Sequence, residues 1–327
     1  MATGRRSRPA SAADLCNAAS RGAGEARWCQ LAACGYLSVV ATTSEGDPPG
    51  SRLTAVQIFA RAAEVGEEDL KRSAAGLAFS GLAAGLAMGL SGLGTATIAA
   101  QIGLTGWRWL VASLMYPLGF IAVIVGRAQL FTENTLFPVI LVLDRRRHLL
   151  NTGRLWTVVL SSNIIGTLIF AVLMVVTDTL GPGTRTALEQ LGVRAVVGSW
   201  SHVFWAGVAG GWIIALVAWV VTASRFTIAQ VALIWLLTLV VGAAHLAHCI
   251  AGSAEILSSV LGGQVSVGDY LYWLSAAVLG NAIGGVVIVS LLNYGQVIGG
   301  GRDQALLKRP LEEAEQEHFG RRRSEAA

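Results

Sequence analysis

The octet Arg127-Ala128-Gln129-Leu130-Phe131-Thr132-Glu133-Asn134 interrupts an apolar stretch of the chain and decides how that stretch can fold. The apolar run before it, residues 108–126, can cross a bilayer, whereas the run after it, residues 135–143, is too short, because a crossing needs about 20 residues. Non-helical backbone inside a membrane is tolerated only within protein or around a cavity. The octet therefore predicts a broken membrane helix whose break lies at an internal site.

The composition of the whole chain also indicates a membrane protein. The chain has 327 residues, of which 54% are hydrophobic and 13% are charged, whereas an ordinary soluble domain carries about 25% charge. Only 15 of the 44 charged residues lie in the 226 residues from 73 to 298. We therefore predict an all-α polytopic membrane protein embedded in a lipid bilayer. The net charge of +4 comes from short clusters and does not indicate nucleic-acid binding.

The apolar runs predict six crossings and four regions along the chain. The predicted crossings are residues 74–99, 108–143 with the octet as its break, 155–177, 200–222, 226–261 with a break at 242–248, and 270–297. The predicted regions are a disordered leader 1–51, an amphipathic surface helix 52–72, a six-span transmembrane domain 73–298 and a charged cytoplasmic tail 299–327. Lysine and arginine near the membrane favour a multi-pass protein with both termini in the cytoplasm.

Two landmarks recur at nearly the same offset and predict an internal repeat. Asn163 in the third crossing and Asn281 in the sixth are 118 residues apart, and the breaks, taken at Thr132 and His248, are 116 residues apart. A repeat of three crossings must be inverted in the membrane, so helices 2 and 5, the broken ones, meet at the midplane as in an aquaporin-like architecture. We expect Asn163 and Asn281 to hydrogen-bond the broken backbone.

The ends of broken helices also indicate the kind of solute. Half-helices beginning near Thr132 and His248 would point free N–H groups and positive dipole ends inward. This favours a solute that is small and anionic, or that becomes anionic. The alternative is a pair of packing kinks whose polar groups are satisfied within the protein.

The motifs around both breaks resemble the formate/nitrite transporter family over about residues 52–298. Leu130-Phe131-Thr132 matches the family's second-helix element, His248 its fifth-helix histidine, and residues 280–285 its Gly-Asn-x-x-Gly-Gly element. The resemblance implies a homopentamer with one pore per protomer that moves small monovalent anions such as formate or nitrite. Gln129 stands where the family usually has Asp, and Gly252 where it usually has Asn, so the chain is similar to a divergent inner-membrane branch.

Five residues are predicted to line the substrate pore. An imidazole titrates near neutral pH, so His248 could act as a proton relay to a weak-acid anion; its alternative role is that of a buried structural imidazole. Thr132 could hydrogen-bond the anion or His248, or else cap a helix. The remaining three, Phe120, Leu130 and Phe131, are predicted to form apolar constrictions that exclude water.

Three charged residues fall in or near the breaks and are predicted to serve gating or structural roles: Arg127, Glu133 and Glu255. Arg127 and Glu133 could pair across the first break, or Arg127 could raise the local anion concentration. Glu133 and Glu255 occupy comparable places in the two predicted halves. Tryptophans are predicted to lie at the membrane interface, namely Trp107, Trp109, Trp156 and Trp273.

Two rival functions remain open at this point. One is a pore for a neutral small solute, although the paired Asn-Pro-Ala signature of aquaporins is absent. The other is a non-transporting sensor or scaffold whose pore is sealed. Enzymatic activity is not predicted, because no nucleophile–base pair emerges, and no cofactor or metal is expected. The four cysteines, Cys16, Cys29, Cys34 and Cys249, lack the spacing of a metal site or disulfide framework.

Overall fold

The computed structural model describes residues 52–144 and 149–299. The predicted leader 1–51, the arginines at 145–147 and the tail from residue 300 lie outside the described residues. By their contacts, the described residues form one large unit, Arg61–Tyr294, and a small unit of residues 52–60 and 295–299. Every regular element within the described ranges is helical, which confirms the all-α class.

The described residues form twelve α-helices, numbered in chain order. They are α1 (Ala55–Lys71), α2 (Ala74–Ile102), α3 (Trp107–Ser113), α4 (Pro117–Val125), α5 (Phe137–Asp144), α6 (Leu149–Ala171), α7 (Pro182–Ala195), α8 (Trp200–Ala223), α9 (Thr227–Ala243), α10 (Cys249–Leu261), α11 (Val267–Ile283) and α12 (Leu292–Gly299). A 3-10 turn at Glu133–Thr135 precedes α5, a π-helical segment Val172–Val176 extends α6, and another, Gly284–Leu291, joins α11 to α12.

Six crossings account for all of these helices except α1 and α7. Within the described residues, five helical stretches are long and apolar enough to span a membrane: Ala74–Ile102, Trp107–Val125, Leu149–Val176, Trp200–Ala223 and Val267–Val297. The fifth crossing in the chain is divided between two shorter apolar helices, α9 and α10, and the second continues past the octet into α5. Helices 2 and 5 are therefore the broken ones, as predicted.

The second crossing carries an additional interruption that was not predicted. Helix α3 ends at Ser113 and α4 begins at Pro117, with a tight turn between them. The backbone N–H of Tyr116 donates to Ser113 O at 3.0 Å, three residues back. The cause is Pro117, which has no N–H to donate to residue 113, so the regular α-helical bonding stops there.

Helix α7, in the connection between the third and fourth crossings, was also not predicted. It begins with Pro182 in its first turn, a position that suits proline, and it buries Leu188 and Leu191. It is joined to α10 by a hydrogen bond from the Ser259 hydroxyl to Glu189 O at 2.6 Å. The connection between the two halves is thus an ordered helix packed against the second broken crossing.

Matching glycine contacts appear in both halves of the large unit. A methyl group added at Gly85 of α2 would lie 2.0 Å from the carbonyl oxygen of Asn163 in α6. A methyl group added at Gly211 of α8 would lie 2.3 Å from the carbonyl oxygen of Asn281 in α11. Small residues let membrane helices approach closely, and here the approach brings each asparagine against the first helix of its own half.

We predict that Gly85→Ala and Gly211→Ala each destabilise the protein by about 1–3 kcal/mol, because the added methyl overpacks a backbone contact. The measurement is the Tm of the detergent-solubilised protein. Gly153→Ala in α6 is the matched control, since nothing lies within 4 Å of its added methyl. Equal Tm values for all three variants would contradict the close-approach interpretation.

Candidate functional site

The first break is held by the side-chain amide of Asn163. Its Oδ1 accepts from the backbone N–H of Phe131 at 2.9 Å, and its Nδ2 donates to Gln129 O at 2.9 Å and to Gly81 O at 2.8 Å. One side chain therefore pairs backbone groups on both sides of Leu130 and ties them to α2. Asn163 is fully buried, so these bonds replace those that the interrupted helix lacks.

The second break is held in the same way by Asn281. Its Oδ1 accepts from Cys249 N at 2.8 Å, and its Nδ2 donates to Ala247 O and to Gly207 O, both at 2.8 Å. The bonds of Asn281 to Cys249 and Ala247 correspond to the bonds of Asn163 to Phe131 and Gln129, 118 residues earlier in the chain. The repeat is thus visible in the hydrogen bonds of both halves.

This pairing corrects two sequence-based assignments. The offset at the breaks is 118 residues and not 116, so the counterpart of His248 is Leu130 and that of Thr132 is Ile250. Glu133 and Glu255 correspond by the same offset to Ala251 and Phe137, so they do not occupy equivalent places. The 116-residue estimate failed because it took the most polar residue of each break as the landmark instead of the backbone position.

Thr132 and His248, called here the central pair, meet between the two breaks. Thr132 Oγ1 lies 2.8 Å from His248 Nε2, and both side chains are buried. His248 is also the N-cap of α10, because its Nδ1 accepts from the backbone N–H of Ala251 at 3.0 Å. The Thr132 side chain makes no capping bond, so the alternative capping role predicted for it is wrong.

The capping bond determines the tautomer of His248. A backbone N–H can only donate, so Nδ1 carries a lone pair, and the neutral ring has its proton on Nε2. Nε2–H then donates to Thr132 Oγ1. The hydroxyl proton of Thr132 has no acceptor among the described residues, and it is left to donate to something else.

Apolar side chains surround the central pair. Phe120 is fully buried, with its ring centroid 4.9 Å from that of His248 in an edge arrangement. Leu130 and Phe131 are 1% and 2% exposed, and Phe131 contacts Trp156 edge-on at 5.8 Å. All five residues predicted to line a pore are thus buried in the region between the two breaks.

Two cavities reach this region and share no lining residue. Cavity one has a volume of about 400 Å³ and includes His248, Gly252 and Glu255 in its wall. Cavity two, of about 760 Å³, includes Leu130 and Glu133. The central pair and its apolar neighbours therefore lie between two open spaces.

The predicted charged residues lie beside the cavities. Arg127 is exposed into cavity two, with φ of 54° in the left-handed region. Glu133 and Glu255 are half-buried. No ion pair joins Arg127 to Glu133 among the described residues, so the predicted pairing is wrong. The left-handed backbone at Arg127 directly follows Gly126, the C-cap of α4.

A polar network connects helix α1 with the first break. Gln129 Nε2 donates to Asp69 Oδ1 at 2.6 Å, and Gln129 Oε1 accepts from Asn134 Nδ2 at 2.9 Å. Asp69 is 7% exposed and also lies 3.8 Å from Arg72 Nη1. A carboxylate thus stands beside Gln129, although it comes from a residue 60 positions earlier in the chain.

Sequence reasoning missed Asp69 as part of the site. One signal was available, because residues 62, 65 and 69 lie on one face of α1 by helical spacing, and the first two are Ala and Val. An aspartate that continues an apolar face indicates a buried partner. The partner itself could not be identified from spacing alone.

Gly252 is the other departure from the family pattern, and Trp273 occupies the space it leaves. A methyl group added at Gly252 would lie 2.4 Å from the Trp273 ring, which is 3% exposed and lines cavity one. The predicted interfacial position of Trp273 is therefore wrong. Trp156 is also directed inward, because its Nε1 donates to Asn134 O at 2.8 Å, whereas Trp107 is 70% exposed.

His245 and Trp109 form a further contact in the wall of cavity one. Their rings stack with centroids 4.2 Å apart, and Trp109 Nε1 donates to Ala243 O at 3.1 Å. His245 has φ of 53°, a conformation that asparagine also adopts readily. Within residues 52–144 and 149–299, no group of three or more His, Cys, Asp or Glu could hold a metal ion.

Comparison with known proteins places the chain among transport proteins. Residues 56–295 match the family model described as formate/nitrite transporter. The chain is 34% identical over 236 residues to the inner membrane protein YfdC of Escherichia coli (strain K12), which covers 71% of this chain and 75% of that protein. It is 26% identical over 202 residues to a probable formate transporter of Methanothermobacter thermautotrophicus, covering 57% and 74% of the two chains.

Two solved structures share the fold. An FNT family ion channel superposes with a TM-score of 0.64 at 20% identity, covering 73% of this chain and 98% of that one. A pentameric formate channel with formate bound superposes with a TM-score of 0.58 at 17% identity, covering 69% and 98%. At these identities the likeness establishes the architecture.

We predict that Asp69→Asn removes a pH dependence of stability. Burial raises the pKa of Asp69 from 3.8 to about 6, against the opposing effects of Arg72 and the Gln129 hydrogen bond. The folded protein therefore binds more protons than the unfolded chain between these values, and the free energy of unfolding falls as the pH rises through this window. The Tm measured from about pH 4 to about pH 8 should fall less steeply in Asp69→Asn than in the wild type.

The control for this experiment is Glu67→Gln in the same helix. Glu67 is exposed, and among the described residues its one ion-pair partner is Lys71 at 3.4 Å, so its removal should leave the pH slope unchanged. A wild-type slope in Asp69→Asn would show that the carboxyl is not held in the buried network.

Proposed function

Because the chain belongs to the formate/nitrite transporter family, we propose that it moves small monovalent weak-acid anions across the inner membrane along the path between the two cavities. Membership agrees with the prediction that the chain is not an enzyme.

The observation that carries the proposal is the unused hydroxyl proton of Thr132. The buried hydroxyl accepts from His248 Nε2 and has no acceptor of its own within residues 52–144 and 149–299. A buried donor without a partner is costly, and an anion is a strong acceptor for it. A neutral solute could also accept this bond, but a charged one gains more from it.

The apolar surroundings favour a weak acid over a permanent anion. Phe120 packs against His248, and Leu130 and Phe131 are buried directly before Thr132, so an unpaired charge is expensive in this place. An anion that takes up a proton crosses as a neutral acid at far lower cost. Formate and nitrite are the anions named by the family, and both are small enough for one hydroxyl to orient.

For His248 the contacts favour a positioning role. A doubly protonated ring would have Nδ1–H facing the backbone N–H of Ala251, so the capping bond would be lost. We therefore assign His248 the task of holding Thr132 with its hydroxyl proton free. The proton-relay role predicted from the sequence remains the alternative, and a pH profile distinguishes the two.

The assembly and orientation belong to the same proposal. We propose a homopentamer with one path per protomer, supported by the fold shared with a structure described as pentameric. Large apolar side chains such as Phe79 and Leu150 are 75% and 87% exposed in the single chain, as expected for contact with lipid or neighbouring protomers. Both termini are proposed to face the cytoplasm, from the distribution of Lys and Arg.

The two rival functions give different transport results. A neutral-solute pore would pass glycerol or water quickly, without dependence on pH or anion concentration. A sealed sensor or scaffold would show no flux of formate, nitrite or hydrosulfide in folded protein. Liposome flux of these solutes separates all three functions.

We predict that Thr132→Val lowers formate flux in proteoliposomes by about 10- to 100-fold, because a hydrogen bond to a charged group contributes about 1.5–3 kcal/mol. Thr132→Ser is the matched variant, since it keeps the hydroxyl and should retain most of the flux. Equal flux in the two variants would show that the hydroxyl does not contact the anion.

We also predict that His248→Asn lowers formate flux but leaves the shape of its pH profile unchanged. Asparagine still caps α10, so the helix should remain intact, but its shorter side chain does not hold Thr132 as the imidazole does. His245→Asn is the control, because asparagine suits its backbone and His245 does not contact the central pair. A flattened pH profile in His248→Asn alone would restore the proton-relay role.

A further inference from the structure

We infer that Glu255 and Glu133 are the groups that exchange protons with the transported anion, one in each cavity. This inference rests on the proposed function and adds to it the source of the proton. Glu255 would protonate an anion that enters from cavity one, and Glu133 would take the proton from the acid that reaches cavity two. In the opposite direction their roles reverse.

The need for such groups follows from the contacts of His248. Its Nδ1 is occupied by the Ala251 N–H, and its Nε2 proton is donated to Thr132. A neutral imidazole cannot give up its last proton to a weak-acid anion, because the product would be an imidazolate. The proton must therefore come from a group that lies beside the path and is not bound within the protein.

Glu255 meets this requirement in cavity one. It lies on α10 seven residues after His248, so both fall on the same helix face and line the same cavity. Its aliphatic part packs at Gly92 of α2, where an added methyl would lie 3.0 Å from its Cγ. Its carboxyl has no hydrogen bond or ion pair with any described residue.

The other charged and titratable groups around Glu255 either contact other residues or make no hydrogen bond or ion pair with it. In the cavity wall Arg194 donates to Leu104 O at 2.8 Å, and His245 stacks on Trp109. On α7, Glu189 is bound by Arg185 at 3.0 Å and by Gln264. The remaining groups on this wall and on the helices packed against α10 are Tyr116, His202, His248, Arg154, Asp269, Tyr270 and Tyr272.

Glu133 meets the requirement in cavity two. It directly follows Thr132, is half-buried and lines the cavity, and its carboxyl makes no hydrogen bond or ion pair with a described residue. The other acidic residues of this wall differ from it, because Asp69 is bound by Gln129 and both Glu64 and Glu68 are exposed on α1. The cationic groups of the same wall are Arg61, Arg72 and Arg127.

The proton exchange is balanced at each step. The carboxylic acid of Glu255 transfers its proton to an oxygen of the anion, which gives the neutral acid and the Glu255 carboxylate. The neutral acid passes the central pair and transfers the same proton to the Glu133 carboxylate, which restores the anion. Water in cavity one then protonates Glu255, and water in cavity two deprotonates Glu133. Unpaired carboxyls at such positions mark proton pathways in membrane proteins, and the neutral acid avoids the cost of a buried charge.

The test measures formate uptake together with internal acidification in proteoliposomes, for Glu255→Gln, Glu133→Gln and the double variant. Each amide keeps the size of the side chain and removes its proton. We expect proton-coupled formate flux to fall by about 100-fold in the double variant, the usual contribution of a general acid or base. Glu255→Asp and Glu133→Asp retain a carboxyl and should restore flux with a shifted pH profile. Glu189→Gln, which lines neither cavity, is the matched control and should keep wild-type flux.

A second measurement does not depend on transport. Infrared difference spectra between about pH 5 and about pH 9 are recorded in the Asp69→Asn background, because the Asp69 carboxyl titrates in the same window. They should contain a protonated-carboxyl band that is lost when Glu255→Gln and Glu133→Gln are added. An unchanged rate, pH profile and band in the double variant would overturn the inference. If Thr132→Val still lowers flux in that case, the anion path stands and only the source of the proton is wrong. Absence of flux with any anion in folded wild-type protein would overturn the proposed function as well.

Discussion

The structure depends on how the backbone is hydrogen-bonded at the two points where a membrane helix stops. A side-chain amide offers one acceptor and two donors, and Asn163 and Asn281 each use all three on backbone groups. In hydrocarbon each unpaired backbone group costs several kcal/mol, so a break without such a side chain would not persist. The glycines at 85 and 211 allow this arrangement, because they let each asparagine-bearing helix lie against its partner.

Because the two asparagines hydrogen-bond the backbone at the breaks, the side chains of residues inside the breaks can make other contacts. Thr132 does not cap the following turn, and its hydroxyl bonds to His248 instead. His248 performs both tasks at once, since one ring nitrogen caps α10 and the other faces Thr132. In the neutral ring the capping bond fixes the proton on Nε2, and this leaves a hydrogen-bond donor of fixed direction between two cavities.

The parts of the fold that could be predicted are those whose residues differ sharply in polarity from their neighbours in the sequence. A polar octet within an apolar run marks the first break, and an asparagine within a membrane helix marks its support, so Arg127–Asn134, Asn163 and Asn281 were recognisable. Helix α7 and Asp69 were not, because their partners lie far along the chain and no periodic pattern joins them. Trp273 was misplaced since tryptophan suits both an interface and a buried site, and only the space left by Gly252 decides between them.

The replacement of the family's usual aspartate by Gln129 follows from the position of Asp69. A carboxylate can only accept hydrogen bonds, so an aspartate at 129 would face Asp69 as a like charge and would be costly in a buried place. A glutamine donates to Asp69 through Nε2 and accepts from Asn134 through Oε1, and so it bridges two groups that an aspartate could not join. The negative charge near the first break is thus retained but comes from helix α1. The break and that helix are consequently linked by a bond that the more usual residue would not form.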